Sequence, residues 1–288
     1  MKRIGIVAKS THIQAKELVR EISEFLRSQK LEIVVDQETL YLLDNPEVGV
    51  ESRAEMTSLC DLVIVLGGDG TLISVCRHPS KKSPQIIGVN LGTLGFLTEI
   101  TITELKESIA NAIAGKSVLE KRNLLCAEIF LKGKENQKTY ALNDIVVSKE
   151  TIARIFPTKV SIDDKLAAIM RGDGVIVASP SGSTAYSLAA GGSIVHPRVD
   201  AMLITPICPH SLTSRPLVIP GSSVVELEIE SDTEQFASYL TVDGQEGFSL
   251  SAGDKVKITT SEFSVLFAKS PSRTYFEVLG AKLKWASS

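Results

Sequence analysis

The sequence predicts an α/β N-terminal domain built on a parallel sheet, a mainly β C-terminal domain, and a C-terminal helix that returns to the first domain. Three observations carry this. Strand-like and helix-like segments alternate through the first third of the 288 residues, the pattern of right-handed βαβ crossovers. Beyond Gly115 helical periodicity nearly vanishes, and short β-rich segments separated by Gly, Asp-Gly and Ser-rich turns take over. Helical spacing returns in the final segment, Tyr275–Trp285, through Phe276, Leu279 and Leu283. A chain of this length buries about three-quarters of its unfolded surface and divides into two domains of ordinary size. The expected division is 1–98, with 268–288 returning to it, and 99–267.

The elements follow in order. Ile4–Ala8 is an apolar strand, and Lys9-Ser10-Thr11 is the expected cap of a helix whose buried face is Leu18, Val19, Ile22, Phe25 and Leu26. Leu31–Val35 is the second strand, and the acidic stretch from Asp36 to Ala54 is expected to be irregular. The continuous run Leu62–Leu66 is a strand covered on both faces. His78–Pro84 is a loop, Ile86–Asn90 a strand, and Glu104–Ala114 a helix stopped by Gly115. The β-rich part offers strands at Ala127–Leu131, Asp144–Val147, Lys159–Ile162, Gly174–Ala178, Ser223–Ile229 and Lys255–Thr260, with a short helical stretch near Tyr186.

Composition narrows the function. With 31 basic and 34 acidic residues the net charge is −3, which excludes a general nucleic-acid binder with its strongly basic footprint. No stretch sets clustered Lys/Arg beside an aromatic face, so a membrane-surface protein is excluded too. An anionic ligand must therefore be attracted by a local cluster and not by the whole molecule. The cysteines Cys60, Cys76, Cys126 and Cys208 are far apart and form no C-x-x-C pair, which argues against a zinc knuckle or a disulfide framework. The N-terminal apolar run stops at Lys9, and no apolar stretch approaches the roughly 20 residues of a membrane span. The expected location is cytoplasmic.

The first motif with chemistry is Gly67-Gly68-Asp69-Gly70-Thr71, directly after a buried strand. Glycines let main chain approach a ligand closely, and a strand-to-helix turn aims free N–H groups outward, which suits phosphate. The loop is neither a Walker A sequence nor a dinucleotide fingerprint, because no Gly-Lys-Ser/Thr follows and Ile73 stands where the third glycine belongs. Asp69 repels phosphate, so its task is metal binding or accepting a proton from a hydroxyl that attacks phosphorus. The structural alternative is a tight turn with Asp69 as helix cap.

Further motifs accompany it. Asn90-Leu91-Gly92-Thr93-Leu94-Gly95-Phe96-Leu97 is a second glycine-bearing turn after a strand. Asn143-Asp144 is a polar pair inside the apolar run Ala141–Val147. Arg171-Gly172-Asp173-Gly174 precedes a strand, and Pro180-Ser181-Gly182-Ser183-Thr184-Ala185-Tyr186-Ser187 turns into a helix with hydroxyl caps. Thr205-Pro206, Pro209-His210 and Arg215-Pro216 follow.

Taken together, these motifs resemble the NAD kinases of bacterial type over essentially the whole chain. The first motif is shared with phosphofructokinases and diacylglycerol-type lipid kinases, but the four in this order are specific. The chain departs from the family's usual Asn-Glu at Asn143-Asp144, shortening the carboxylate by one methylene, and has Ser179 and Ser181 where the family usually shows threonine. The resemblance implies transfer of the ATP γ-phosphate to the 2′-hydroxyl of the adenosine ribose of NAD, with NAD and ATP as substrates. It implies Mg²⁺ or another divalent ion carried with ATP, no protein metal cage, and a homodimer or homotetramer with no nucleic-acid or membrane partner.

By the same matching, Asp69 is the general base, and Gly67, Gly68, Gly70 and Thr71 form the phosphate loop. Gly70, Asn143 and Asp144 join Asp69 at the NAD ribose and adenine. Thr184, Ala185, Tyr186, Ser187, Leu188 and Ala189 line the adenine side. Arg154, Arg171 and Asp173 reach the nicotinamide half, partly from a neighbouring subunit. Gln245, at an expected Asp243-Gly244 hairpin turn, lies near the ligand. His210 is expected to be structural. A structural alternative stands beside each: Asn143-Asp144 as a strand-end turn, Tyr186 as a core aromatic, the arginines as solvated surface. A lipid kinase and a non-catalytic NAD(P)-sensing module are the competing functions.

Overall fold

The computed structural model describes residues 1–44, 47–149, 156–230 and 238–285. The chain divides into two compact units, Met1–Lys121 with Phe263–Ser288, and Arg122–Glu262. Among the described residues no helix is long and apolar enough to cross a membrane.

The first unit runs β1 (Arg3–Ala8), α1 (Ala15–Ser28), β2 (Glu32–Val35), α2 (Gln37–Leu40), β3 (Gly49–Val50), α3 (Arg53–Leu59), β4 (Leu62–Gly67), α4 (Asp69–Cys76), β5 (Gln85–Asn90) and α5 (Leu105–Ile113). Its strands pair in parallel in the order β5-β4-β1-β2-β3. β4 is buried at every residue, because both faces are covered. Ile4, Ile6, Leu62, Ile64 and Leu66 pack with Leu18, Val19, Ile22 and Leu26 of α1. On the other face Gly5 lets Met56 and Cys60 come close; a Cβ there would lie 3.3 Å from both sulfurs. The parallel order places the C-terminal strand ends together, where ligands of open α/β sheets bind.

Three expectations change here. Lys9–Thr11 does not cap α1: Lys9 N still bonds Leu66 O (2.8 Å) beside β4, and the helix starts only at Ala15. The stretch from Asp36 to Ala54 is more ordered than its acidity suggests. Asp36 accepts from Thr39 N to cap α2, and Ser52 with Glu55 forms a capping box for α3. Arg53 then ties the segment down through Asp36 (2.8 Å), Glu38 (3.0 Å) and Ser74 of α4 (2.7 Å). Finally, the first unit does not stop at residue 98. Leu105, Ile109 and Ala112 of α5 belong to its core, so it extends to Lys121.

The second unit contains β6 (Leu119–Phe130, entering from the first), β7 (Gln137–Ala141), β8 (Asp144–Lys149), β9 (Phe156–Ile162), β10 (Lys165–Gly172), β11 (Gly174–Ala178), α6 (Tyr186–Ala189), β12 (Ala201–Ile207), β13 (Leu217–Pro220), β14 (Val225–Ile229), β15 (Ser238–Val242), β16 (Glu246–Leu250) and β17 (Lys255–Ala268, leading back). One layer pairs β10-β9-β14-β17, with β6 beside β17 and β7 beside β6; the other is antiparallel in the order β13-β12-β11-β8-β15-β16. Alternate residues of β8, β11 and β12 face opposite ways. Ile145, Val147, Val175, Val177, Met202 and Ile204 enter the main core. Val146, Ile176, Ala178, Leu203 and Ile207 pack on the far face with Ala190 and Val195. The segment carrying α6 therefore covers the back of this sheet, which fixes it beside the start of β8.

The chain's return to the first unit is held by buried charge. Glu99, 5% exposed, accepts from Lys269 Nζ and Ser270 N, each at 2.8 Å. Glu104 accepts from Ser270 Oγ (2.8 Å) and Ser272 Oγ. α7 (Tyr275–Leu283) follows, opened by a Thr274/Glu277 capping box, and Lys282 lies 5.6 Å from the Phe96 ring centroid.

Candidate active site

In the first unit the chain turns from β4 into α4 across Gly67, Gly68 and Asp69. Gly67 has no room for a side chain, since a Cβ would lie 2.6 Å from Thr71 Oγ1 and 2.9 Å from Thr71 Cβ. Gly68 and Gly70 differ. Among the described residues, chain neighbours and for Gly70 the backbone of its own helix aside, no atom lies within 4 Å of a Cβ built on either, and neither has positive φ. Nothing in the described chain demands glycine at these two positions, and their bare backbone is open to a ligand.

Asp69 does not cap its own helix; Gly68 holds the N-cap position. Its carboxylate instead pins the second glycine turn. Oδ2 accepts from Phe96 N (2.9 Å), and Oδ1 accepts from Leu97 N (3.2 Å), Thr98 N (3.0 Å) and Thr98 Oγ1 (2.9 Å). Gly95 permits this approach, because a Cβ there would overlap the carboxylate and the Thr98 hydroxyl. Asn90 shapes the same turn: its Oδ1 accepts from Gly92 N (2.8 Å) and its Nδ2 donates to Thr93 O (2.6 Å). A carboxylate has about four lone-pair sites, two on each oxygen. Oδ1 is fully used, whereas Oδ2 keeps an open acceptor direction on a half-buried side chain. The arrangement is a fixed, half-buried carboxylate beside glycine backbone.

In the second unit β8 begins at Asp144, which pairs with Ala178 at the end of β11. Asn143 O accepts from Ser179 N (2.8 Å), and Leu142 O accepts from Ser179 Oγ (2.5 Å). Gly182 is pressed against Asn143 so closely that a Cβ would lie 2.5 Å from the Asn143 carbonyl carbon. Asn143 Oδ1 is buried and has no hydrogen-bond partner among the described residues, a state costly unless a ligand donates to it. Asp144 is 5% exposed. Burial and then the negative charge of Asp243 push its carboxyl up to about 7, while an N–H from Tyr186 pulls the other way.

The remaining expected residues fall as follows. Tyr186 is 46% exposed at the start of α6, so it is not a core aromatic. Thr184, Ala185 and Leu188 are half-buried and Ala189 is exposed. Ser187 differs from its neighbours: its side chain is fully buried and its hydroxyl bonds Thr205 Oγ1 at 2.9 Å, which ties α6 to β12. Gln245 is exposed at the end of the β15–β16 turn, where Asp243 (φ +52°) and Gly244 (φ +64°) have positive φ and Gln245 N donates to Val242 O (3.0 Å). Arg171 is exposed on β10, and Asp173 pairs with Lys149 at 2.6 Å. His210 N bonds Arg171 O (2.9 Å). Arg154 lies outside the described residues. Among the described residues no three His, Cys, Asp or Glu side chains converge as a metal cage.

Sequence reasoning missed four contributors. Thr98 supplies two donors to Asp69, and Asp243 gathers the amides of Leu142–Asp144. Arg122, 5% exposed, donates to Ser181 Oγ at 3.1 Å, and Lys149 holds Asp173. A signal existed for Asp243, which opens an Asp-Gly turn, and for Thr98, which closes the second glycine turn. Arg122 and Lys149 sit in charged stretches indistinguishable from solvated surface.

Known proteins similar to this chain span its whole length. Residues 4–117 match the model of the ATP-NAD kinase N-terminal domain, and residues 142–270 match that of the ATP-NAD kinase C-terminal domain. An NAD kinase of Syntrophotalea carbinolica is 42% identical over 285 residues, covering 99% of each chain. One of Desulforamulus reducens is 41% identical over 284 residues, 99% of this chain and 98% of that one. Among solved structures, yeast NADH kinase complexed with NADH superimposes with TM-score 0.91 at 27% identity, over 100% of this chain and 89% of the other. An NAD kinase from Archaeoglobus fulgidus in complex with ATP gives 0.75 at 25% identity, over 97% and 98%. With both halves of the chain matched and full-length relatives at about this identity, the chain belongs to the ATP-NAD kinase family.

Proposed function

We propose that this member of the family transfers the γ-phosphoryl group of ATP to the 2′-hydroxyl of the adenosine ribose of NAD, giving NADP, with Asp69 as general base. The observation that carries the reading is Asn143 Oδ1, a buried acceptor without a partner beside the buried carboxyl of Asp144. A ligand bearing hydroxyl and amino donors, as adenosine does, satisfies both. Tyr186, exposed at the start of α6, offers its ring to the adenine, with Thr184, Ala185, Leu188 and Ala189 around it. The neighbours bound to NADH and to ATP support both substrates.

In the reaction the ribose hydroxyl is a poor nucleophile. As its oxygen forms a bond to the γ-phosphorus, its proton passes to Asp69 Oδ2 and the bond to the leaving ADP oxygen breaks. Such help contributes about 10²–10⁴ in rate. The amides of Phe96, Leu97 and Thr98 keep the carboxylate aimed. Gly67, Gly68, Gly70 and Thr71 form the loop that the phosphates approach. A divalent ion enters as part of the MgATP substrate, held by phosphate oxygens and water. Arg171, Asp173 and Gln245 serve the nicotinamide side and the ligand's edge, completed by a second copy of the chain in a homodimer or homotetramer. The enzyme works in the cytoplasm.

Membership in the family removes the lipid-kinase alternative. The sensing-module alternative is tested directly: purified protein with ATP, Mg²⁺ and NAD is expected to generate NADP, read by a coupled dehydrogenase, and Asn143→Ala is expected to raise KM for NAD. Absence of turnover, with NAD still bound, would leave a sensor.

A further inference from the structure

The turn between β15 and β16 holds a carboxylate for which the phosphoryl transfer itself has no use. Asp243 Oδ2 accepts from Leu142 N (2.7 Å), and Oδ1 accepts from Asn143 N (2.7 Å) and Asp144 N (3.0 Å). In return Asp243 N donates to Asp144 O (2.9 Å). Three successive amides converging on one carboxylate make the kind of concavity that ordinarily binds an anion; here the chain supplies the anion itself. The carbonyls of the same segment are held from the other direction, Leu142 O by Ser179 Oγ and Asn143 O by Ser179 N. Both edges of these peptide planes are thus fixed by the protein, while Asn143 Oδ1 has no partner among the described residues.

The clamp does not depend on a ligand for its own geometry. The turn runs over Asp243, Gly244 and Gln245 between the paired Val242 and Glu246, and positive φ at Asp243 and Gly244 is a conformation that Asp, Asn and Gly tolerate. The turn places the carboxylate, and the carboxylate places the loop.

We propose that Asp243 is a positioning residue for the dinucleotide site: it fixes the backbone of Leu142–Asp144 so that the Asn143 amide and the Asp144 carboxyl are presented to the adenosine half of NAD before the ligand arrives. This rests on the reading of Asn143 and Asp144 as NAD contacts. The groups facing Asp144 are the Asp243 carboxylate from the hairpin, a Tyr186 N–H from α6 and Ala178 across β11. Asp243 is the charged one, and its repulsion adds to burial in holding Asp144 protonated.

Asp243→Asn is the decisive variant, because asparagine keeps the turn but sets an NH₂ group against one of the clamped amides. Leaving a buried donor unsatisfied is expected to raise KM for NAD about tenfold, more than kcat falls, with KM for ATP within about twofold. Removing the charge also lets Asp144 ionise at lower pH, so the midpoint of the pH dependence of KM for NAD moves down. In an Asp144→Asn background Asp243→Asn no longer moves that midpoint. In the wild-type protein, hydrogen exchange is expected to find the amides of Leu142, Asn143 and Asp144 protected without NAD, a reading that needs no variant to fold. Two results overturn the proposal: those amides exchanging freely until NAD is added, or Asn143→Ala raising KM for NAD while Asp243→Asn leaves it unchanged. Should Asn143→Ala itself leave KM for NAD unchanged, the NAD reading of the loop fails first and takes the proposal with it.

Discussion

Asp144→Asn separates the energetics of the dinucleotide site from its chemistry. The Asp144 carboxyl lies at about 7 in the folded protein against an ordinary value of 3.8. Between these values the folded state holds a proton that the unfolded state has released, so stability falls as pH rises and levels off above the folded value. The stabilising contribution is complete below about pH 3.8 and lost by the time pH has passed about 7. At about 1.36 kcal/mol per unit the whole loss is on the order of 4 kcal/mol, of which roughly 2–3 kcal/mol falls between pH 5 and pH 8. The asparagine is nearly isosteric, still accepts from the Tyr186 N–H, and has nothing to ionise. Urea unfolding followed by circular dichroism at pH 5, 6.5 and 8 compares the two. The wild type loses roughly 2–3 kcal/mol more than Asp144→Asn across this range. Parallel pH dependence in the two proteins would refute the buried, proton-holding carboxyl.

Two further expectations follow from the geometry. Gly68→Ala meets no atom of the described chain beyond its neighbours and sits at an extended backbone of φ −118°, ψ −173°, so unfolding free energy changes by no more than about 0.5 kcal/mol. A methyl there nevertheless stands where phosphate approaches, and kcat/KM for ATP in the coupled assay drops tenfold or more, roughly 1.4 kcal/mol. Ser187→Ala does the reverse: it strips Thr205 of its buried partner, lowers stability by about 1–2 kcal/mol in denaturant titrations, and leaves KM for NAD within about twofold of wild type.

Much of the first unit was legible because its strands are covered on both faces. The run Leu62–Leu66 reads as a strand covered on both faces, and the apolar stripe of α1 packs against it. The cap of α1 was misread because Lys9 continues the pairing with β4 past the apolar run. That is a tertiary contact, invisible in local residue preference. The strand Ala201–Ile207 was missed although every residue in it is buried, since Pro206 reads as a breaker. Proline is tolerated there because pairing with β13 has already ended at Ile204, leaving β12 a single neighbour on β11. At the site, glycines and Asp69 announced themselves through spacing. What spacing could not convey was direction: Ser187 belongs to the same motif as Tyr186 yet points inward, and Asp243 lies about a hundred residues along the chain from the amides it holds.

The most direct measurement is the turnover of Asp69→Asn. The amide oxygen can keep the contacts of Oδ1 with Leu97 and Thr98, while the NH₂ replaces Oδ2, so one turn contact and the proton acceptor are lost together. The expected result is a fall in kcat for NADP formation of about 10²–10⁴, with NAD and ATP dissociation constants from calorimetry within about threefold of wild type. A kcat within tenfold of wild type would contradict the account, leaving Asp69 as a brace for the Asn90–Leu97 turn and the proton with no acceptor on this side chain.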